Sequence, residues 1–244
     1  MLAHPGHGAR RNWREYWWWA DPMLAPRSSA DGGIGQVCYL HDMADIRNHR
    51  HHGLIGALVV LPTDVRPYRS GSDHVEGWTG FSADIRNADG GALVARETFW
   101  FAQDGLRFFV NGDPLSPMAD ADPDLDPVDC GQKAVNYRAY PVHRGRVGQS
   151  GPAPILATDV GDRVWLRVLG ANDKPRQHSV VVHGARWPQA HWMDGKGLMV
   201  GALSGIAPCR VENVTFTVER SGDHPVRPAN FLWSTQQGMW ARIA

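Results

Sequence analysis

Long apolar runs, paired cysteines and net charge are all scarce in this chain of 244 residues. No stretch approaches the ~20 consecutive apolar residues of a membrane span, and the first thirty residues lack the apolar core of a secretion signal. Lys+Arg and Asp+Glu each number 25, so the formal net charge is zero. Without a global positive field there is nothing to hold nucleic acid irrespective of sequence. Neither a membrane role nor nucleic-acid binding is expected. The three cysteines, Cys38, Cys130 and Cys209, stand far apart and share no CxxC spacing. They build neither a disulfide framework nor a zinc module, and at most one bridge leaves a free thiol. No Gly-x-Ser-x-Gly elbow or Gly-x-Gly-x-x-Gly turn is present, and Gly151-Pro-Ala-Pro is no phosphate loop.

What is present points to strands. The 43% hydrophobic share is enough for a buried core, and 27 Gly and 17 Pro are spread along the chain rather than gathered in one tract. That spread suits many short strands joined by tight turns. The apolar runs are short: 56–61, 97–102, 106–110, 163–169, 178–182 and 211–218. Residues Arg163 to Val168 alternate polar and apolar, which predicts a half-buried strand. Asp89-Gly90 and Asn111-Gly112 each predict a hairpin turn. No amphipathic helix longer than about three turns is legible. Asp120 to Asp129 carries five carboxylates and reads as an exposed connection, with a weak calcium loop as the other reading.

At Gly35 the sequence becomes specific. Gly35-Gln-Val-Cys-Tyr-Leu-His41-Asp-Met43, followed by His52-Gly-Leu-Ile-Gly-Ala-Leu-Val-Val-Leu-Pro62, resembles a copper-ligand strand and its successor in bacterial multicopper oxidases. Upstream, His4-Pro-Gly-His and Arg14-Glu-Tyr-Trp-Trp-Trp-Ala-Asp21 are similar to the turn and aromatic strand that precede it. Downstream, Asn136-Tyr-Arg138, Gly161-Asp-Arg-Val-Trp-Leu-Arg-Val168 and His178-Ser-Val-Val-Val-His183-Gly184 resemble the last cupredoxin domain of that family. Ser204 to Pro208 and Phe231 to Trp240 match its closing strands. The resemblance implies an all-β fold of Greek-key β-sandwich type, cupredoxin-like, with one complete domain plus the second half of another. The expected boundaries are 1–62 for the half-domain, 63–75 for a linker (Pro62 to Thr79 at its widest) and 76–244 for the complete domain.

The resemblance also implies copper and an oxidoreductase, yet its ligand motifs are thinned here. A mononuclear copper needs two His, a Cys thiolate and often a Met. No cysteine in this chain has a His neighbour, and Trp233-Ser-Thr-Gln-Gln237 precedes Gly238-Met239. Met239 alone stands at the axial position. His41 matches half of a His-x-His pair whose other half is Met43. His178 and His183 match ligand positions, while Val181 and Ala185 replace further histidines. Period-two counting puts His178 and His183 on opposite sheet faces unless a bulge intervenes, and the bland alternative is a satisfied core histidine. His49, His51 and His52 pack three imidazoles into four residues, a spacing able to hold a divalent metal. Arg47 and Arg50 oppose that, and a polar turn before Gly53 is the other reading.

The candidate metal residues are therefore His41, His49, His51, His52, His178 and His183, with copper the implied metal and no catalytic residue assigned. Two function readings follow: a multicopper-oxidase-like protein, incomplete or degenerate in this chain, or a copper-free cupredoxin module for binding or assembly. The half-domain lacks a partner half, so a preceding region or a homo-oligomer is expected to supply it. The run Trp17 to Trp19 serves either as a stacking platform for carbohydrate or as a strand that is partly core and partly interface. Family members are usually exported; no export signal is legible, so no compartment is assigned.

Overall fold

The computed structural model describes residues 2–4, 15–44, 49, 54–69, 81–106, 109–110, 113–114, 132–136, 155–171, 177–190, 197–230, 234–235 and 238–244. Strands dominate. The first five are β1 (Leu2–His4), β2 (Glu15–Trp17), β3 (Gln36–His41), β4 (Ile55–Val60) and β5 (Val65–Tyr68). Next come β6 (Ser82–Asn87), β7 (Leu93–Leu106), β8 (Phe109–Val110), β9 (Asp113–Pro114) and β10 (Gln132–Val135). The chain continues through β11 (Ile155–Leu156), β12 (Arg163–Gly170), β13 (His178–Val182), β14 (Trp187–Pro188) and β15 (Met199–Val200). It closes with β16 (Ala202–Ile206), β17 (Val211–Thr217), β18 (His224–Arg227) and β19 (Ala241–Ile243). No helix among the described residues is long and apolar enough to cross a membrane.

Two sheets form a sandwich, as the strand-and-turn pattern predicts. One runs β17-β12-β7-β6-β5, with β10 also on β7, and the other runs β11-β19-β18-β13-β16. Both predicted hairpins are present. Asp89 accepts from the Gly91 N–H (2.9 Å) in the turn between β6 and β7, and Gly90 there has φ +79°. β8 and β9 pair across residues 111–112. Within the stretch expected to link two units, Val65–Tyr68 pairs with β6 and adds an edge to the first sheet.

The core lies between the sheets, and strand alternation decides its members. Val164, Leu166 and Val168 of β12 and Trp100 and Ala102 of β7 point inward onto Val180, Val182, Val226, Ala241 and Ile243. Residues one position along point the other way. β12 was expected to be half-buried, but every residue from Val164 to Gly170 is buried, because a third layer covers its outer face. That layer is the β3–β4 hairpin with the segment before it. Val37 packs with Phe101, Leu169 and Ala171, while Ile34 packs with Val65, Ile85, Ala95 and Trp165. A polar residue in that outer row cannot reach water, so Arg167 becomes an internal clamp. It is fully buried, its guanidinium bonds Glu97 Oε1 (2.9 Å) and Asn213 Oδ1 (2.9 Å), and it donates to the Ile34 carbonyl oxygen. Trp165 stacks beneath it, 5.4 Å from ring centroid to guanidinium carbon. Buried charges persist only when paired and hydrogen-bonded, as here.

Two further residues hold the architecture. Asn136 has φ +53°, and its side chain accepts from the Phe101 N–H (2.9 Å) and donates to the Phe99 carbonyl (2.8 Å). It thus extends the β7 ladder where β10 ends. Gly35 has φ +67°, and a Cβ there would meet the Val60 carbonyl oxygen inside van der Waals distance. Glycine is required for the chain to enter β3 beside β4.

Candidate functional site

The inner rows of three strands become polar at one end of the sandwich. In β7 the inward series Trp100, Ala102 continues to Asp104. Toward the start of β13 the series Val182, Val180 ends at His178, and next to Val135 in β10 comes Lys133. Asp104, Lys133 and His178 are 2%, 3% and 6% exposed, so this is a buried polar cluster and no surface fringe. Asp104 and His178 come from opposite sheets and meet: His178 Nε2 lies 3.0 Å from Asp104 Oδ2. A buried carboxylate facing imidazole fixes the ring and its tautomer, placing the Nε2 proton on the shared bond. Beside the pair opens a cavity of about 410 Å³ whose walls include Lys133, Gln177, His178, Ser179, Asn230 and Ser234.

The other predicted metal residues lie elsewhere. His183 follows β13 at the surface, where its Nε2 accepts from Arg227 Nε (2.9 Å). Burial first, and then the Arg227 charge, hold its imidazole below the ordinary range. A register irregularity does occur between His178 and Val180, the place where a bulge was needed to bring His178 and His183 to one face. Yet His178 is buried and turned to Asp104, whereas His183 is exposed and turned to Arg227. His41 ends β3, its ring 5.4 Å from that of Tyr39 and its Nδ1 buried without a hydrogen-bond partner. His49 Nδ1 contacts Asp42 Oδ2 at 2.5 Å. His51, His52, Cys130 and the acidic stretch Asp120 to Asp129 lie outside the described residues.

Among the described residues no three His, Cys, Asp or Glu side chains are placed to hold one metal ion. Met239, at the axial position of the resemblance, is fully buried within the apolar core. Cys38 and Cys209 are free thiols. The described residues therefore do not fit a mononuclear copper, and a guanidinium at His183 is a poor neighbour for a dication. Sequence reasoning missed Asp104 and Lys133. The signal lay in the inward parity with Trp100 and Val135, legible only once the strand registers were known.

The tryptophan run also differs from expectation. β2 ends at Trp17, so alternation does not carry through Trp18 and Trp19, and the three rings are 68%, 46% and 84% exposed.

No protein-family model and no curated protein matches the sequence. Among solved structures, the copper nitrite reductase from Nitrosomonas europaea is similar at a TM-score of 0.52 and 15% identity, covering 86% of this chain and 62% of that one. The blue copper oxidase from the same organism is similar at a TM-score of 0.50 and 13% identity, covering 86% and 60%. The chain thus spans about three-fifths of the length of each. At these identities the likeness is one of fold: the β-sandwich of copper proteins of cupredoxin type.

Proposed function

We propose that this chain is a cupredoxin-type module of multicopper-oxidase descent that works here without copper, as a binding and assembly unit. The observation that carries the reading is the environment of His183, one of the two histidines at ligand positions. Its Nε2 lone pair is taken by the Arg227 guanidinium N–H. A metal at His183 would have to displace Arg227 and then bear its charge. Assembly is supported by the exposed rings of Trp17 and Trp19, each worth roughly 2–3 kcal/mol if buried at ~25 cal/mol per Å². Among the described residues the β1–β2 ribbon beside them has two strands, and such a ribbon is marginal without a further partner.

One observation favours the second reading, a copper oxidoreductase completed by a preceding region or another subunit. His41 Nδ1 is buried and unpartnered, as a ligand awaiting its metal would be. Titration of the purified chain with Cu(II), followed by visible absorption and electron paramagnetic resonance, separates the two. The proposal expects a colourless protein without a thiolate-to-copper band, since no described cysteine neighbours a histidine pair. A strong band near the red end of the visible, lost on Cys38→Ser or Cys209→Ser, would overturn it.

A further inference from the structure

We propose that the segment from Trp17 to Leu24 is the contact surface for a second copy of this chain, paired about a two-fold axis. This deepens the assembly reading by naming the partner, and it rests on that reading. The first observation is exposure. Trp17, Trp18 and Trp19 are followed by Met23, which is 77% exposed, so four large apolar side chains meet water within residues 17–23. Single exposed apolar residues are ordinary, whereas a contiguous run of this kind marks an interaction surface. Indole rings are also among the groups most enriched at the centre of protein interfaces.

The segment is held in shape before any partner arrives. Asp21 caps the turn Pro22–Leu24: its Oδ1 accepts from the Met23 N–H (2.9 Å), and its carbonyl accepts from the Leu24 N–H (3.0 Å). Beyond the turn, the Ser29 N–H and hydroxyl donate to the Asp64 carboxylate (2.9 Å and 2.7 Å), which ties the segment to the start of β5 and so to the first sheet. A surface ordered in advance loses little conformational freedom on docking. Area and charge then select the partner. At up to about 250 Å² per tryptophan, the exposed fractions of the three rings amount to roughly 500 Å². One copy therefore supplies about half of the ~1,000 Å² that a specific interface needs. A second copy bringing the same rings supplies the other half, with Met23 extending both. A two-fold contact sets a surface against itself, so any charge on it meets its like. Along 17–25 the one charged side chain is Asp21, whose carboxylate is engaged within the turn. Zero net charge over the whole chain leaves no overall repulsion between copies, and no overall attraction to an anionic lipid surface. Offset stacking lets an indole pair with its own kind.

Sedimentation velocity on the full chain, from low to high micromolar concentration, tests the pairing. The expected result is a single step from the 27.0 kDa chain to a species of twice that mass, with nothing larger. Trp19→Lys should weaken the dimer at least about tenfold, because in a two-fold contact the substitution enters twice and sets like charges on one interface. Trp19 is exposed, so the circular dichroism spectrum and melting temperature of the variant should match the parent, which keeps a loss of pairing distinct from a loss of fold. Leu198→Lys, at an exposed apolar side chain just before β15, should leave the dimer as strong as in the parent. A chain that stays monomeric throughout, a ladder of ever larger species, or equal weakening by Leu198→Lys overturns the proposal. Co-sedimentation of a monomeric chain with phosphatidylcholine–phosphatidylglycerol vesicles also overturns it and assigns the rings to a lipid surface. Copper is read separately, so a thiolate-to-copper band sinks the copper-free reading whatever the mass. A monomer that takes no copper sinks this inference alone and leaves the copper-free module to a different partner.

Discussion

Replacing Glu97 by Leu removes the only carboxylate among the described residues that bonds Arg167, and the structure sets the size of the effect. Arg167 is fully buried, so its charge keeps no water when Glu97 is gone. Burial pushes the guanidinium below its ordinary range and the Glu97 charge opposes that shift, so the ion pair is what keeps a cation tolerable in this layer. Breaking a buried pair from one side costs about 3–5 kcal/mol. For a chain of this size, at about 2–4 °C per kcal/mol, the melting temperature should fall by roughly 6–20 °C. Arg167→Met should cost a similar amount by stranding Glu97, and it also frees the Ile34 carbonyl and Asn213 Oδ1. The double variant should be less damaging than the sum of the singles by at least ~1 kcal/mol, because no isolated charge remains. Urea unfolding followed by circular dichroism gives all three free energies. Additivity within about 0.5 kcal/mol, or a Glu97→Leu cost below about 1 kcal/mol, would refute the clamp.

The histidine beside Arg227 offers a test through pH. Because the folded pKa of His183 lies below its unfolded value, its contribution to stability is fully present above the unfolded value of 6.5 and is lost as pH falls through the folded one. Arg227→Met should raise the folded pKa part of the way, since burial, the larger cause, remains; an unchanged value in a nuclear magnetic resonance titration would contradict this. Asn136→Ala removes two side-chain bonds to β7 and should cost about 2–3 kcal/mol by denaturant unfolding, with Asn136→Gly losing as much despite its easier φ. If Asn136→Gly is as stable as the parent, backbone conformation and not the side chain is what matters there. Light scattering at tens of micromolar, set against the 27.0 kDa mass of one chain, reports self-association. Trp17→Ser with Trp19→Ser should shift any oligomer toward monomer without lowering the melting temperature, whereas a clear drop would mean that the rings are core.

The sandwich was legible because its signals are local. Alternation marks β12 and β17, and Asp89-Gly90 and Asn111-Gly112 mark turns whose geometry few other residue pairs accept. Layer number is a different kind of property. A strand covered on one face and a strand covered on both differ only in what a distant segment does, here the stretch around Ile34 and the β3–β4 hairpin. Arg167 therefore reads as a solvent-facing residue from its own neighbourhood and is the least solvated charge among the described residues in the folded chain. The tryptophan run failed for the complementary reason: period-two reasoning assumed that a strand continues, and β2 ends at Trp17.

For the site, residue identity was informative and pairing was not. His178 stood out because of what it resembles, but its ring is held by Asp104, which lies 74 positions earlier, and it shares a cavity wall with Lys133 on a third strand. Neither has a motif around it. Each is recognisable only as a polar residue that shares inward parity with Trp100 or Val135, and parity across strands depends on registers that include the shift between Gln132 and Ala134. A resemblance to copper proteins draws attention to the histidines, cysteines and methionine of their motifs. Around those histidines the described residues place a carboxylate at one imidazole nitrogen, a guanidinium at another, and an ammonium lining the cavity. A fold by itself therefore does not say which ligand a pocket suits; the side chains around it do.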